Sequence, residues 1–406
     1  MKTRPRVLLF AEALTLAHVV RLVTIGRSLD PERYDVHLAT DPRYRSAVGN
    51  VEFPVHEVRS MPAEVFHRAI ATGAPIFDEP TLLRYVEDEN RLFGEWRPDI
   101  VIGDFRISLA VSARLAGLPF INLTNAYWSP YAAIRHVLPE ITLARVVGAG
   151  LGQAVFDVFR PLGYATHMRP VNRVRRRYGL AVLPRDFRYA LADGDHVCYA
   201  DIPEIVPTRC LPTTHSFVGP IPWSPTVAMP PWWDEVESQA PRRPLVYVTL
   251  GSSGPPAVLG EILQALDDMP VTVVATTAGA MGPLPATRNA YVAPFLPGER
   301  VARACSAVVC NGGSPTSYQG LAAGKPVIGV ATNMDQFLNM AAVEDAGCGM
   351  LLRSGALDRQ SVRSAVSRAL DDAALGERAR RIATRIEQYD WKALLTGVVD
   401  SALAAA

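Results

Sequence analysis

"VVCNGGSPTSYQGLAAGKPVIGV", residues Val308 to Val330, decides how this chain folds. Val308, Val309 and Cys310 read as the end of a buried strand. The Asn-Gly-Gly run after them is turn chemistry, Ser314 suits an N-cap, and Pro315 suits the first helical position. Thr316 to Ala323 then reads as one short helix stopped by Gly324, and Val327 to Val330 begin the next strand. A strand, a glycine turn and a helix N-terminus offer unpaired N–H groups and a partial positive charge, which suit an anion. Asn311 stands at the mouth of that turn.

The same alternation continues outward on both sides. Towards the C-terminus the strands read as Val246–Leu250, Val271–Ala275, Ala290–Val292, Ala307–Cys310, Val327–Val330 and Gly349–Leu352. Towards the N-terminus they read as Arg6–Phe10, Asp35–Ala39, Phe53–Val55, Ile100–Gly103, Phe120–Leu123 and His196–Tyr199. Helical patterns such as His18–Leu29, Leu82–Trp96 and Leu109–Ala116 lie between them. Short apolar strands alternating with helices give an α/β fold with parallel, doubly wound sheets. Two such halves predict two Rossmann-like domains facing a cleft, with ligands at the carboxyl ends of the strands. We place the first domain at 1–220 and the second at 244–385, joined by a linker at 221–243 within the proline-rich run Pro203–Pro244. Residues 386–406 read as a helix that packs back across the cleft. The segment Tyr127–Tyr178 is an apolar, mostly helical insertion, either a pocket wall or an ordinary packing element.

The 406 residues are 49% hydrophobic and 20% charged, with a formal net charge of +1. That length exceeds one ordinary core and suits two domains. A charge near zero creates no long-range field, so nucleic acid and an anionic membrane are not favoured partners. No run approaches the roughly 20 apolar residues that span a bilayer. The opening MKTRPRVLLFAEALTLA has the basic head and apolar run of a signal peptide, but Glu12 interrupts that run and Arg6–Phe10 serves as a first strand. Cys198, Cys210, Cys305, Cys310 and Cys348 match no common zinc spacing and read as reduced thiols. The expectation is a cytoplasmic protein.

Three features of the second half point at one cleft. The loop "TLGSSG", Thr249 to Gly254, follows a strand, and Gly251, Ser252 and Ser253 could cradle a phosphate. The turn at Asn311–Thr316 supplies a second anion site. "NMDQFLNM", Asn333 to Met340, places Asp335 and Gln336 after the next strand, where an acid beside an amide suits sugar hydroxyls. In the first half, His18 stands where strand one gives way to helix one, and Asp104 follows its own strand on the same sheet edge. The imidazole could take a proton from a hydroxyl while the carboxylate holds its other nitrogen.

These residues resemble the GT-B nucleotide-sugar glycosyltransferases of family one, in particular the bacterial macrolide and UDP-glucuronosyl-like enzymes. The resemblance spans nearly the whole chain and is sharpest in "VAPFLP", "NGGSPTSYQGLAAGKPVIGV", "MDQFLN" and "AGCGMLL", which appear in the family's order and spacing. It implies His18 as catalytic base with Asp104 as its partner. It implies a donor site made by Gly251, Ser252, Ser253, Phe295, Leu296, Asn311, Gly312, Gly313, Ser314, Thr316, Gln319, Asp335 and Gln336, with Phe295 under the nucleobase. Two residues depart from the family pattern. Asn311 stands where a diphosphate-contacting His is usual, which replaces a charge-assisted bond by a weaker neutral one. Gln319 stands for a ribose-binding Glu and opens the reading of a thymidine donor. The glycine that often precedes the base is Ala17.

The resemblance implies an inverting, metal-independent transfer of a sugar from a UDP or dTDP donor to a hydroxyl of a largely apolar small-molecule acceptor. The nucleoside diphosphate sugar is a co-substrate, and no further cofactor is expected. "ADGDHV" carries an Asp-x-Asp spacing at Asp193–Asp195, but it reads as a turn before a strand in the wrong domain. A homodimer is compatible with the sequence. Two rivals share the architecture: an accessory protein that binds without turning over, favoured by Asn311 and Gln319, and a nucleotide-sugar epimerase. A nicotinamide dehydrogenase is disfavoured because strand one lacks the G-x-G-x-x-G turn.

Overall fold

The central apolar runs become strands that are buried on both faces, as a sheet sandwiched between helices requires. The computed structural model describes residues 4–251, 254, 256–279 and 283–405. The first half holds β1 (Arg6–Ala11), β2 (Asp35–Thr40), β3 (Val55–Glu57), β4 (Ile100–Asp104), β5 (Phe120–Thr124), β6 (His196–Tyr199) and β7 (His215–Phe217). The second holds β8 (Leu245–Thr249), β9 (Thr272–Thr276), β10 (Ala290–Ala293), β11 (Ala307–Cys310), β12 (Val327–Ala331) and β13 (Gly349–Arg353). Among the described residues the sheet orders are β3-β2-β1-β4-β5-β6-β7 and β10-β9-β8-β11-β12-β13, with parallel pairing throughout. This is the expected pair of doubly wound α/β domains.

Side-chain alternation sorts each sheet's residues to two cores. Val7, Leu9 and Ala11 of β1 pack on one face with Ile100, Ile102, Ile121 and Leu123, while Leu8 and Phe10 pack on the other with Val101 and Phe120. In the second sheet Val246 and Val248 face one core, and Leu245 and Tyr247 face the other. The last helix, Trp391–Ala405, sends Trp391, Leu395, Val399 and Ala402 into the first domain's core beside Val7 and Leu9. Its Asp400 accepts hydrogen bonds from Arg33 and Tyr34. The chain therefore ends against the domain in which it began.

Both sheets reverse strand order at a single point, between β1 and β4 in the first and between β8 and β11 in the second. Ligands of open α/β sheets bind in the crevice at such reversals. Four loops lie there: those after β1, β4, β8 and β11.

The structure adds a strand and corrects a cap. Part of the proline-rich stretch, His215–Phe217, is β7 and extends the first sheet. Ser314 is not an N-cap: Gly313 occupies that position and the helix runs Ser314–Ala322. Within 61–77, Met61, Phe66 and Phe77 belong to the first domain's core. The insertion resolves into a crossing segment and a long helix, Ala149–Arg177. Arg175 on that helix is buried against Asp193 at 2.6 Å.

Candidate active site

Each strand of the first sheet that reaches the cleft ends in a polar residue, and those residues build the site. Glu12 follows β1, Asp104 closes β4, Asn125 follows β5, and Asp201 stands two residues beyond β6. His18 enters from the first turn of the helix Leu16–Ser28, and its Nδ1 lies 2.9 Å from Asp104 Oδ1. The imidazole is 18% exposed and the carboxylate 2%, so one side of the ring faces the cleft while the other is tethered. Phe105 stacks against the ring at 4.9 Å between centroids and 24° between planes.

Phe105 has φ 58°, a left-handed conformation that costs a non-glycine residue free energy and needs support from its neighbours. The support comes from Arg106, which is fully buried. It donates to Glu12 Oε2 and to Glu89 Oε1, each at 2.7 Å, and its guanidinium lies over the Tyr85 ring at 3.3 Å. Tyr85 also donates to Glu12, and Ser112 donates to Glu89. This ionic cluster pins the loop after β1 to the loop after β4. The first loop leads into the helix of His18, and the second leaves β4 at Asp104.

Arg21 lies one helical turn beyond His18. It is 6% exposed, its Nε lies 3.5 Å from Asp104 Oδ2, and its Nη2 donates to Asn125 Oδ1 at 3.0 Å. Asn125 Nδ2 in turn donates to Asp201 Oδ2 at 3.1 Å and to Ser314 Oγ at 3.0 Å. Ser314 belongs to the second domain, so a line of polar contacts runs from the imidazole to the glycine loop after β11. Asp201 is completely buried, and that burial pushes its carboxyl up to about 6 despite the Ala126 N–H and Asn125 amide that stabilise its charge. Arg21, Ser314, Tyr318 and Gln319 line a cavity of about 180 Å³ at this joint.

In the second domain, Gly312 has φ 81° and a Cβ there would meet Met340 Cγ at 2.7 Å, so only glycine fits. Asn311 Oδ1 accepts from Gly313 N–H at 3.0 Å, and its Nδ2 faces Gly251, which has φ 60°. With Gly313 engaged and Pro315 lacking an N–H, Ser314 and Thr316 supply the first-turn donors of the helix. Asp335 Oδ1 accepts from Trp128 Nε1 at 2.7 Å and Tyr127 Oη at 3.1 Å, both from the loop after β5. Gln336 is 3% exposed and closes a capping box with Asn333: its Oε1 accepts from Asn333 N–H at 3.3 Å, and also from Thr332 N–H at 2.8 Å, while its own N–H donates to Asn333 Oδ1 at 3.1 Å. Phe295 is 39% exposed, available to a planar ligand, whereas Leu296 is 2% exposed and its side chain packs in the core. Gln319 donates to Trp223 O at 2.6 Å, so its amide fastens the linker to the helix Ser314–Ala322. Ser252 and Ser253 lie outside the described residues.

Sequence reading missed Arg21, Asn125, Asp201, Tyr127 and Trp128. A signal existed for three of them. Arg21 sits at i+3 from His18, and Asn125 and Asp201 follow strands of the same sheet, as Asp104 closes its own. The roles of Tyr127 and Trp128 depend on a partner 207 or 208 positions away.

Comparison with known proteins agrees with this architecture. Residues 257–388 match the family described as erythromycin biosynthesis protein CIII-like, C-terminal domain. A PGL/p-HBAD biosynthesis glycosyltransferase of Mycobacterium tuberculosis (strain ATCC 25177 / H37Ra) is 46% identical over 94% of this chain and 88% of its own. A PGL/p-HBAD biosynthesis rhamnosyltransferase of Mycobacterium bovis (strain BCG / Pasteur 1173P2) is 47% identical over 94% of this chain and 84% of its own. An inactive PGL/p-HBAD biosynthesis glycosyltransferase of the same M. bovis strain is 44% identical over 65% of this chain and 71% of its own. The solved structure of spinosyn rhamnosyltransferase SpnG complexed with thymidine diphosphate superposes with a TM-score of 0.69 at 19% identity, covering 98% of this chain and 100% of that one. With two doubly wound domains meeting at their switch points and relatives of this identity over nearly its full length, the chain belongs to the GT-B nucleotide-sugar glycosyltransferases of family one.

Proposed function

We propose that this glycosyltransferase inverts the anomeric centre of a dTDP-linked 6-deoxyhexose, with His18 as general base, and delivers the sugar to a hydroxyl of a largely apolar acceptor. The carrying observation is the His18–Asp104 pair at 2.9 Å, one imidazole nitrogen held and the ring exposed to the cleft opposite the donor loop. Nε2 takes the acceptor proton as its oxygen attacks C1, and the C1–O bond to the diphosphate breaks on the opposite face. Asp104 stabilises the imidazolium that forms. The N-terminus of the helix Ser314–Ala322 stabilises the charge arriving on the departing diphosphate, with Ser314 and Thr316 N–H as donors.

Support for the donor comes from the rhamnosyltransferase relative and from the thymidine diphosphate complex of a fold neighbour. Gln319 contributes a second reason: its amide is engaged by the linker carbonyl of Trp223 and does not grip a ribose as a glutamate would. The acceptor side draws on Phe105 and on Trp128, which pack at the edge of an apolar cluster in the first domain.

The rival reading, a protein of the same fold that binds without turning over, draws on Asn311 and on the inactive relative. Mixing dTDP-rhamnose with apolar alcohols and assaying dTDP and glycoside by mass spectrometry separates the two. Transfer by the wild-type chain supports our reading. Tight dTDP binding with no transfer to any acceptor in a broad panel moves the chain to the rival.

A further inference from the structure

The helix Ala149–Arg177 carries a surface that neither domain core uses. Its buried side, including Met168, Val171 and Val174, packs in the first domain with Leu14, Phe77 and Ile107. On its outer side Leu151, Val158 and Leu162 are 65%, 72% and 55% exposed. Arg169, Arg173 and Arg176 are exposed further along. At 3.6 residues per turn, the offsets from Leu151 to these residues bring all six within about 60° of one another. One stripe therefore runs roughly 37 Å along the helix, apolar in its first half and cationic in its second. Phe159, 59% exposed, widens the apolar end. Among the described residues Arg169 and Arg176 form no ion pair, and Arg173 has only Glu79 at 3.8 Å.

We propose that this stripe docks the protein on an anionic lipid surface, with the apolar half entering the acyl boundary and the arginines on the headgroups. Charge complementarity selects this occupant over a second copy of the chain. Across a two-fold axis an antiparallel pairing sets the arginines against Leu151, Val158 and Leu162, and a parallel pairing sets arginine against arginine. Either arrangement buries unpaired charge, because the stripe carries no acidic complement. A lipid surface meets both halves at once: amphipathic helices of this composition lie in the interface, and each arginine near an anionic bilayer adds attraction. The whole chain's net charge of +1 gives no long-range field, but docking acts within a Debye length, where the local cluster dominates. The stripe lies on the first domain, on the back of a helix whose inner side supports the acceptor half.

The test is co-sedimentation of the full chain with vesicles of phosphatidylcholine alone and of phosphatidylcholine with about 25% phosphatidylglycerol. Binding is expected to the anionic vesicles only and to weaken at high salt. R169Q/R173Q/R176Q should lower it by roughly a hundredfold. L151S/V158S/L162S should lower it by at least about tenfold while leaving transfer to a soluble acceptor unchanged. Should a variant misfold by circular dichroism, the salt dependence and lipid selectivity of the wild-type chain decide alone. Wild-type binding that ignores lipid charge and salt, or no binding at all, overturns the proposal. So does a dimer in light scattering that the triple serine variant dissolves, since the stripe then belongs to a second copy.

Discussion

At the scale of single residues, the site depends on groups that hold one another in place. Removing Asp104 leaves His18 free to rotate, so Asp104→Asn should lower kcat by about ten- to a hundredfold with little change in dTDP affinity, read by steady-state kinetics and calorimetry. Arg106→Met should destabilise the fold by about 3–5 kcal/mol in denaturant titration, because it strands Glu12 and Glu89 without their counter-charge. Asp201 gives a pH signature. Its folded carboxyl titrates at about 6 against an ordinary 3.8, so the folded state binds its proton more tightly than the unfolded state does. That contribution is present below about pH 4 and is lost as pH rises through 6, on the order of 3 kcal/mol. In wild type, stability should therefore fall across this window relative to Asp201→Asn, which cannot titrate. An equal pH dependence in both proteins would remove Asp201 from the account.

His18 and Asp104 were legible because both stand at strand ends of one sheet edge, where the switch-point rule directs attention. Arg21 was legible only in its i+3 spacing from His18, because one arginine on an amphipathic helix reads as solvated; the fold shows it 6% exposed beside Asp104. Gln319 was legible as a substitution of chemistry but not in its partner, a backbone carbonyl 96 residues away.

Elements, the next scale up, carry the communication between domains. The loop after β5 reaches the second domain at several points, among them Asn125 to Ser314, Tyr127 and Trp128 to Asp335, and Arg135 to Glu344 and Asp345. A double-mutant cycle on Asn125→Ala and Ser314→Ala should give a coupling of about 1 kcal/mol in stability, and a lowered kcat in each single variant. Additive effects would show that the contact carries no energy between the domains. Strands were legible to within two residues because their apolar runs are continuous and bounded by turn residues. β7 was hidden, since three residues among prolines offer no alternation to detect. The helix cap at Ser314 was misread for a related reason: its hydroxyl is a competent cap, but a partner from the other domain takes it.

For the whole molecule, one arrangement explains where every functional side chain stands. Two sheets present their order reversals to a common cleft, the His18–Asp104 pair stands at one and the glycine turn at 311–313 at the other, and the last helix ties the chain's end to its beginning. Trp391→Ala should therefore weaken the first domain, although the residue lies in the tail, by about 3–5 kcal/mol in thermal or denaturant unfolding. The sheets and the cleft could be read in the sequence because alternating strands and helices admit few topologies. The joint between the domains could not, because its contacts join residues some two hundred positions apart.

The central claim is that His18 removes the acceptor proton. It is tested most directly by following glycoside formation from dTDP-rhamnose in wild type and His18→Ala, with dTDP affinity measured on both. The account predicts that turnover drops by about a hundredfold or more while dTDP binds equally well. A variant that keeps full turnover would contradict it.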